Sequence, residues 1–218
     1  MRRLQQSTSA GDRDKLESQF GTRFSVLGEL PYFDTIRMCT IDPMHNLFMG
    51  TAKLMIKIWK ELKFIDRNAQ EKMQEKANQF VVPSSIGKLP KKIVTGFDGF
   101  TADEYKNWVI LFSLYCIHGC IPAKHVACFR KFVLACQYFC KQMISKRDVM
   151  IAHNLIIDFC KTFETLYGRH RVTPNMHLHA HLKDCILDFG PVYSFWLFSF
   201  ERFNIFFLVF YCLMIAPF

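Results

Sequence analysis

The sequence predicts a mainly α-helical fold, a bundle of helices that cross around one core. Apolar residues recur at steps of three and four in several long runs, which is the period of an amphipathic helix. No run shows the strict alternation that would indicate a strand. Half of the 218 residues are hydrophobic and Phe alone occurs 23 times, so the chain can bury a sizeable core. We therefore expect helix to pack on helix.

Composition divides the chain into five expected regions. Residues 1–22 are polar and charged, and we expect them to be a disordered lead-in. Residues 23–82 begin with short turns and continue into a long helix, and 83–100 form a loop that contains Pro, Ser and Gly. Residues 101–204 form a helical domain. The apolar tail, 205–218, is shorter than the roughly 20 residues of a membrane-spanning helix, so we expect no membrane partner.

Asp42 and Pro43 mark the start of the long helix, because a capping Asp followed by Pro in the first turn is the favoured order. Apolar residues then recur at helical spacing to about Phe64. His45 and Asn46 fall in the first turn of this helix. Asp42 has two interpretations: a helix cap with no further role, which the sequence favours, and a carboxylate that binds metal.

The later helices are delimited by similar signals. Thr101, followed three residues later by Glu104, predicts a capped helix start, and Gly119 and Gly168 predict helix ends. The predicted helices are Asn68–Phe80, Tyr105–Ile117, His125–Ser145, Asp148–Tyr167 and Ser194–Asn204, with a polar break at Lys146-Arg147 between the third and the fourth.

Three alternating histidines lie in the stretch that most suggests chemistry. Residues 173–175, Thr-Pro-Asn, predict a helix start. A helix from there would place His177 and His181 on one face, four residues apart, and would point His179 elsewhere. Such a pair suits zinc, but Leu178 stands where a zinc protease needs its catalytic Glu. The alternative is three partly buried histidines that are satisfied by ordinary hydrogen bonds.

Glu201 is a single acid in an aromatic segment that runs from Phe195 to Phe203. A buried carboxylate is costly unless it is paired with a cation or bound to a metal. Two interpretations follow. Glu201 either pairs with an arginine, or it is a metal-binding carboxylate held on a rigid apolar helix.

Charge and cysteine content restrict the partners and the compartment. The formal net charge of +9 favours a polyanionic partner, without choosing between nucleic acid and an acidic protein. The nine cysteines include no Cys-x-x-Cys pair, and no apolar leader segment follows Met1. We therefore expect free thiols in a reducing compartment, most of them acting as small buried hydrophobes.

Three blocks of sequence, taken in order, resemble the C-terminal part of CACTA (En/Spm-type) DNA transposases and their domesticated relatives. The first is Ile41–Gly50, IDPMHNLFMG, and the second is Phe97–Trp108, FDGFTADEYKNW. The third runs from Met176 to Arg202 and contains Met-His-Leu, His-Leu, Gly-Pro-Val and Phe-Glu-Arg. The combination in this order is much more specific than any single block.

The resemblance implies a DDE-type strand-transfer enzyme with an RNase H-like core and an added helical region. It makes Glu201 the third catalytic acid, and His177 and His181 the histidines of a structural zinc site, with Asp42, His45 and Asn46 as motif residues. The complete enzyme would use Mg²⁺ held by its acids, which activates the attacking hydroxyl. The resemblance also implies DNA as the partner, a nuclear location, and a homo-oligomer of the complete protein.

The chain departs from the family pattern in two places. The two catalytic aspartates and the zinc-binding cysteine pair precede the first block in the family, and this sequence has no counterpart of them. After Asn204 the apolar tail replaces the polar sequence of the family. We therefore expect a truncated copy without catalysis of its own, with the catalytic sheet largely missing and the zinc site incomplete. The alternatives are a non-enzymatic basic helical module that binds DNA or protein, and an independent zinc hydrolase that uses the histidines and Glu201.

Overall fold

The structure is a computed structural model that describes residues 9–20, 23–83, 86 and 92–200. The chain forms two compact units, Met1–Thr40 and Ile41–Phe218. The loop predicted at 83–100 lies partly outside the described residues, and the tail at 205–218 lies wholly outside them. Both of these region boundaries stay predictions.

The first unit contains helix α1 (Ala10–Phe20) and a 3₁₀ turn, Val26–Glu29. Glu17 accepts a hydrogen bond from the backbone N–H of Phe24 at 2.6 Å. The guanidinium of Arg13 lies 4.1 Å from the centre of the Phe24 ring, which is a cation–π contact. Helix α1 falls inside the segment for which the sequence predicts disorder, and that disorder stays a prediction.

The second unit is helical throughout its regular structure. Its elements, in chain order, are π1 (Met44–Ala52), α2 (Lys53–Glu61), α3 (Arg67–Asn78), α4 (Ala102–Asn107), π2 (Trp108–Phe112), α5 (Ser113–Ile117), α6 (Ala123–Phe139), α7 (Lys146–Tyr167), α8 (Pro174–His179) and α9 (Leu182–Phe189). The described residues contain no β-strand. The predicted mainly α-helical class is therefore confirmed.

Two long helices are interrupted by π-helical stretches that the sequence did not predict. The helix predicted from Pro43 to Phe64 is present as π1 followed by α2, and it ends at Glu61. The helix predicted for Tyr105–Ile117 is present as α4, π2 and α5. Thr101 caps it as predicted, because its hydroxyl accepts from the N–H of Glu104 while the Glu104 carboxylate accepts from the N–H of Thr101.

The break between α6 and α7 is not where the sequence predicts it. Helix α6 ends at Phe139, so the predicted end at Ser145 is wrong. Ser145 instead caps α7 through a reciprocal pair with Asp148, and Lys146-Arg147 form the first turn of that helix. A Ser followed three residues later by an acid is the usual sequence signal of this cap.

The last predicted helix starts later than expected. Val192–Ser194 forms a 3₁₀ turn, and helical geometry resumes only at 198–200 among the described residues. The hydroxyl of Ser194 donates to the carbonyls of Phe189 and Pro191, at 2.8 and 2.6 Å. A serine that bonds nearby backbone in this way favours a turn over a helix.

Helices α6 and α7 form the centre of the core and run antiparallel. The contacts between them show this direction, because residue numbers rise along one helix as they fall along the other. Lys131 bonds Thr162 at 2.9 Å, and the rings of Phe132 and Phe159 are 5.1 Å apart. The ring of Trp59 in α2 packs edge-on against Phe129 of α6, with the ring centres 5.0 Å apart. Within the described residues, no helix is long and apolar enough to cross a membrane.

Candidate functional site at a buried polar seam

Residues in and directly next to the first and third sequence blocks meet at a polar seam, which consists of the buried Asn46, Thr51 and His179 and the half-buried Asn175. The side-chain amide of Asn46 donates to the carbonyl of Asn175 at 3.0 Å. The Asn46 carbonyl oxygen lies 2.6 Å from Nδ1 of His179. The hydroxyl of Thr51 lies 2.9 Å from Nε2 of the same ring. Helix α8 is thereby attached to π1 through polar contacts as well as apolar ones.

The hydrogen bonds of the seam fix the protonation of His179. Because the Asn46 amide nitrogen faces a carbonyl, its oxygen faces the imidazole, and Nδ1 must carry the proton that it donates. Nε2 is then the acceptor for the Thr51 hydroxyl. His179 is fully buried, and this burial lowers its pKa to about 3. Both nitrogens of this neutral ring are occupied, so His179 is a structural histidine and has no nitrogen free for a metal.

The π-helical geometry of π1 is what allows both ring nitrogens to be held from one helix. Asn46 and Thr51 are five residues apart in the sequence. In an α-helix, residues five apart point in directions that differ by about 140°. A π-helix repeats its hydrogen bonds between residues five apart, so such residues lie on nearly the same face. Asn46 and Thr51 thus hold the imidazole of His179 from both sides.

Asp42 closes the outer end of the same region. Its carboxylate accepts from the N–H groups of Met44 and His45, at 3.2 and 3.0 Å, so it caps the helix as the sequence favours. It also lies 2.5 Å from Nδ1 of His45. The fourth contact is long-range, because Oδ1 accepts from the backbone N–H of Leu197 at 2.9 Å. Asp42 therefore ties the segment before the 198–200 helical turn to the start of π1.

The second block reaches the same place through Lys106. Its ammonium bonds Asp103 at 2.7 Å. It also lies 5.6 Å from the ring centre of Trp196 and 5.0 Å from that of Phe198, which are cation–π distances. Phe198 in turn contacts Phe48 of π1, with the ring centres 6.3 Å apart. All three sequence blocks therefore meet in one part of the second unit.

The other two histidines are exposed. The ring centres of His177 and His181 are 5.2 Å apart, although helix α8 ends at His179 and the chain turns before α9. His181 Nδ1 lies 3.9 Å from the carboxylate of Asp184. Two neighbouring imidazoles fit half of a zinc site. Among the described residues, no group of three or more His, Cys, Asp or Glu side chains could hold a metal ion.

Glu201, the acid that the resemblance makes catalytic, lies outside the described residues. The zinc assignment to His177 and His181 stays a prediction. Asn46 and Thr51 were not predicted as partners of a histidine. A weak signal exists for Thr51, which is a polar residue on the apolar face of a helix, but nothing in the local sequence identifies a partner 128 residues away.

The cysteines of the core are small hydrophobes, as expected for the buried ones. Cys116 and Cys128 are buried, and burial raises their pKa values to about 11 and about 12. A thiol with such a pKa is protonated and a poor nucleophile. The eight cysteines that the structure describes are all free.

A second buried polar group was also not predicted. The hydroxyl of Tyr167 accepts from the indole N–H of Trp59 at 3.0 Å and lies 2.8 Å from Nδ1 of His125. Burial lowers the pKa of His125, with a smaller contribution from Lys124. These residues lock α2, α6 and α7 together, and we assign them a structural role.

We found no match for the chain among protein-family models, curated proteins or solved structures. A functional assignment therefore depends on the three sequence blocks and on the contacts that they make with one another.

Proposed function

We propose that the chain is the helical C-terminal part of a CACTA-type DNA transposase. The observation that carries this proposal is the meeting of the three sequence blocks. They were selected by their order in the sequence alone, and the hydrogen bonds between the first and the third block join residues 133 to 155 positions apart. We expect the parts of one functional module to contact one another in this way.

In this proposal His177 and His181 supply two ligands of a structural zinc site in the complete protein. Their exposure leaves the ring nitrogens accessible, and their separation allows both to reach one ion. A structural zinc takes four ligands, so a cysteine pair from the rest of the complete protein would provide the other two. Zinc there would fix the turn between α8 and α9 against the catalytic domain.

Glu201 is the proposed third acid of a site that holds Mg²⁺ in the complete enzyme. Two metal ions need several carboxylates, and the resemblance matches one catalytic acid to these 218 residues. We therefore propose that these residues alone do not transfer DNA strands. Their remaining activity would be weak, salt-sensitive and sequence-independent DNA binding, driven by the formal charge of +9. The complete protein would act in the nucleus, as a homo-oligomer.

The test is a fusion between residues 23–218 and the aspartate- and cysteine-bearing part of an active CACTA transposase. Excision of a reporter element measures activity. We expect the fusion to excise, and we expect Glu201→Gln to abolish excision because the amide cannot replace a metal-binding carboxylate. Glu164→Gln, at an exposed position of α7, is the matched control and should excise normally. The double variant His177→Ala/His181→Ala should lose zinc from the fusion.

Two results would contradict the proposal. Excision that survives Glu201→Gln would remove the catalytic assignment. A fusion that folds and keeps zinc in the double histidine variant would place the zinc site elsewhere. An inactive fusion whose helical part still binds DNA would favour the alternative, a non-enzymatic basic module.

A further inference from the structure

A groove of about 610 Å³ lies beside the seam and shares Asn175 with it. Helix α2 lines it with Lys53, Lys57 and Lys60, and the start of α8 lines it with Thr173 and Asn175. We call it the lysine groove. Positions 53, 57 and 60 follow helical spacing, so the three ammonium groups share one face of α2.

The charges in the lysine groove are compensated at one end only. Lys60 bonds the carboxylate of Asp98 at 2.9 Å, and Arg171 bonds that of Glu61 at 2.7 Å. Lys53 and Lys57 are exposed, and neither forms an ion pair with any residue that the structure describes. Lys53 acts on Asp98 only at longer range: the pKa of Asp98 is lowered first by Lys60 and last by Lys53. Two positive charges therefore remain for an anionic ligand.

Neutral polar groups face the same two lysines. The side-chain amide of Asn175 packs directly on Gly50, where any Cβ would collide with it and would lie 2.7 Å from the carbonyl of His45. The backbone of Asn175 is held by Asn46, but its amide forms no hydrogen bond with another described residue. Thr173 precedes α8, yet its hydroxyl does not cap the helix. The lysine groove thus presents an amide and a hydroxyl without a partner of their own.

We infer that the lysine groove binds two successive phosphates of a nucleic-acid backbone, with Lys53 and Lys57 on the phosphates and Asn175 and Thr173 on phosphate or sugar oxygens. Lys, Asn and Thr are residue types that make such contacts. One helical turn separates the two ammonium groups by about 6 Å along the axis, which allows each to reach a different phosphate. The inference rests on the proposed function only for its choice of DNA as the polyanion.

An acidic protein is the less suitable occupant. Carboxylates are held best by the two-pronged guanidinium of Arg, whereas Lys acts as a point charge that suits phosphate. The arginine next to this groove, Arg171, is already engaged by Glu61.

The test compares the full chain with Lys53→Ala/Lys57→Ala in binding a labelled oligonucleotide, measured by fluorescence anisotropy at several salt concentrations. Each phosphate contact contributes about 0.9 to the slope of log affinity against log salt for duplex DNA and about 0.7 for a single strand. We expect the slope of the double variant to be smaller by about 1.8 with duplex DNA and by about 1.4 with a single strand. The control Lys72→Ala/Lys161→Ala removes the same charge from exposed positions outside the groove and should keep the slope.

A second variant separates the neutral contacts from the charges. Asn175→Ala leaves the bond from Asn46 intact, because that bond goes to the backbone carbonyl. It should weaken binding about threefold to tenfold, the worth of one hydrogen bond, at an unchanged salt slope. Circular dichroism melting curves of all variants verify that each one is folded.

Each outcome decides between the hypotheses. If the Lys53→Ala/Lys57→Ala variant binds DNA as well as the control variant does, the lysine groove is not the binding site. DNA binding by the proposed transposase fragment would still stand. A chain that binds no DNA even at low salt overturns both. If poly-glutamate at matched charge concentration displaces the oligonucleotide from the wild type but not from the Lys53→Ala/Lys57→Ala variant, the groove would be assigned to an acidic protein instead.

Discussion

His179 and the pair formed by His177 and His181 come from one short stretch of sequence and have opposite environments. His179 is fully buried, is neutral, and has both nitrogens bonded. The other two are exposed, with half of the His181 side chain open to solvent. Their spacing in the sequence does not distinguish these roles. What decides them is the partner on the opposite helix, because only His179 meets Asn46 and Thr51.

The comparison also separates stability from chemistry. A buried, satisfied imidazole is part of the core, and removing it leaves its partners without hydrogen bonds. Exposed imidazoles contribute little to folding and stay available for a metal ion. The four predictions below test this division, from the largest expected effect to the smallest.

His179→Ala should lower the free energy of unfolding by about 3 kcal/mol. The substitution leaves a cavity in a close-packed region and removes the partners of a buried amide and a buried hydroxyl. Urea denaturation followed by circular dichroism measures the change. His181→Ala, two residues away, is the control and should stay within about 0.5 kcal/mol of the wild type. Equal effects of the two substitutions would abolish the contrast between them.

The stability should depend on pH through His179. Its pKa of about 3 in the folded protein lies below the unfolded value of about 6.5, so the unfolded chain takes up the proton first. The contribution of His179 is complete above about pH 6.5 and is lost as the pH falls toward 3. Between pH 7 and pH 5 the loss should be about 2 kcal/mol.

This pH effect is isolated by comparing the wild type with His179→Gln, in metal-free buffer, by urea denaturation at both pH values. Burial also lowers the pKa values of His125 and His153, and their contributions have the same sign but occur in both proteins. The difference between the two proteins therefore belongs to His179. Identical pH dependence in both would show that its ring does not stay neutral in the seam.

Asp42→Ala tests the outer end of the region where the blocks meet. It removes a helix cap and the bond to Leu197, and should cost about 1–2 kcal/mol. Hydrogen exchange should show faster exchange at the amide of Leu197, which loses its acceptor. Thr101→Ala removes a cap without a long-range bond and serves as the control, with a cost of about 1 kcal/mol and no change at Leu197. Slow exchange at Leu197 in Asp42→Ala would contradict this role.

His177→Ala/His181→Ala should leave the free energy of unfolding within about 0.5 kcal/mol of the wild type, since both rings are exposed. The chain of 218 residues should bind zinc weakly in a titration against a chromophoric chelator, because two ligands make a poor site. Tight zinc binding that persists in the double variant would show that the ligands lie elsewhere.

Local signals in the sequence predicted the helices and several of their ends. The caps at Asp42 and Thr101 and the glycine ends at Gly119 and Gly168, where φ is +75° and +87°, depend on residues close together in the chain. The end of α6 was predicted too late, because apolar spacing continued past Phe139 into a segment that Ser145 and Asp148 mark as a new start. The capping signal was present in the sequence and outranks periodicity at such a boundary.

The seam was beyond prediction from local sequence. Its bonds join Asn46 and Thr51 to residues about 130 positions later, and no pattern within one helix specifies a partner at that distance. The π-helical geometry of π1 was equally hidden, because apolar spacing is defined for a period of 3.6. The stretch 173–181 was identified for its alternating histidines and for the pair His177 and His181, whereas the structure shows that His179, between them, is the one held in the seam.

The π-helical stretch makes the chain tolerant of a change in length at this point. A π-turn contains an additional residue compared with an α-turn, so π1 takes up that residue locally and the faces of α2 keep their direction. Deleting one residue between Asn46 and Thr51 would let the helix relax to α geometry, and the two residues, then four positions apart, would still lie within about 40° of each other around the axis. Lys53 and Lys57 would stay close to the face that Asn175 lines. An alignment gap inside π1 would therefore mark a relative that forms the same seam with ordinary α-helical geometry.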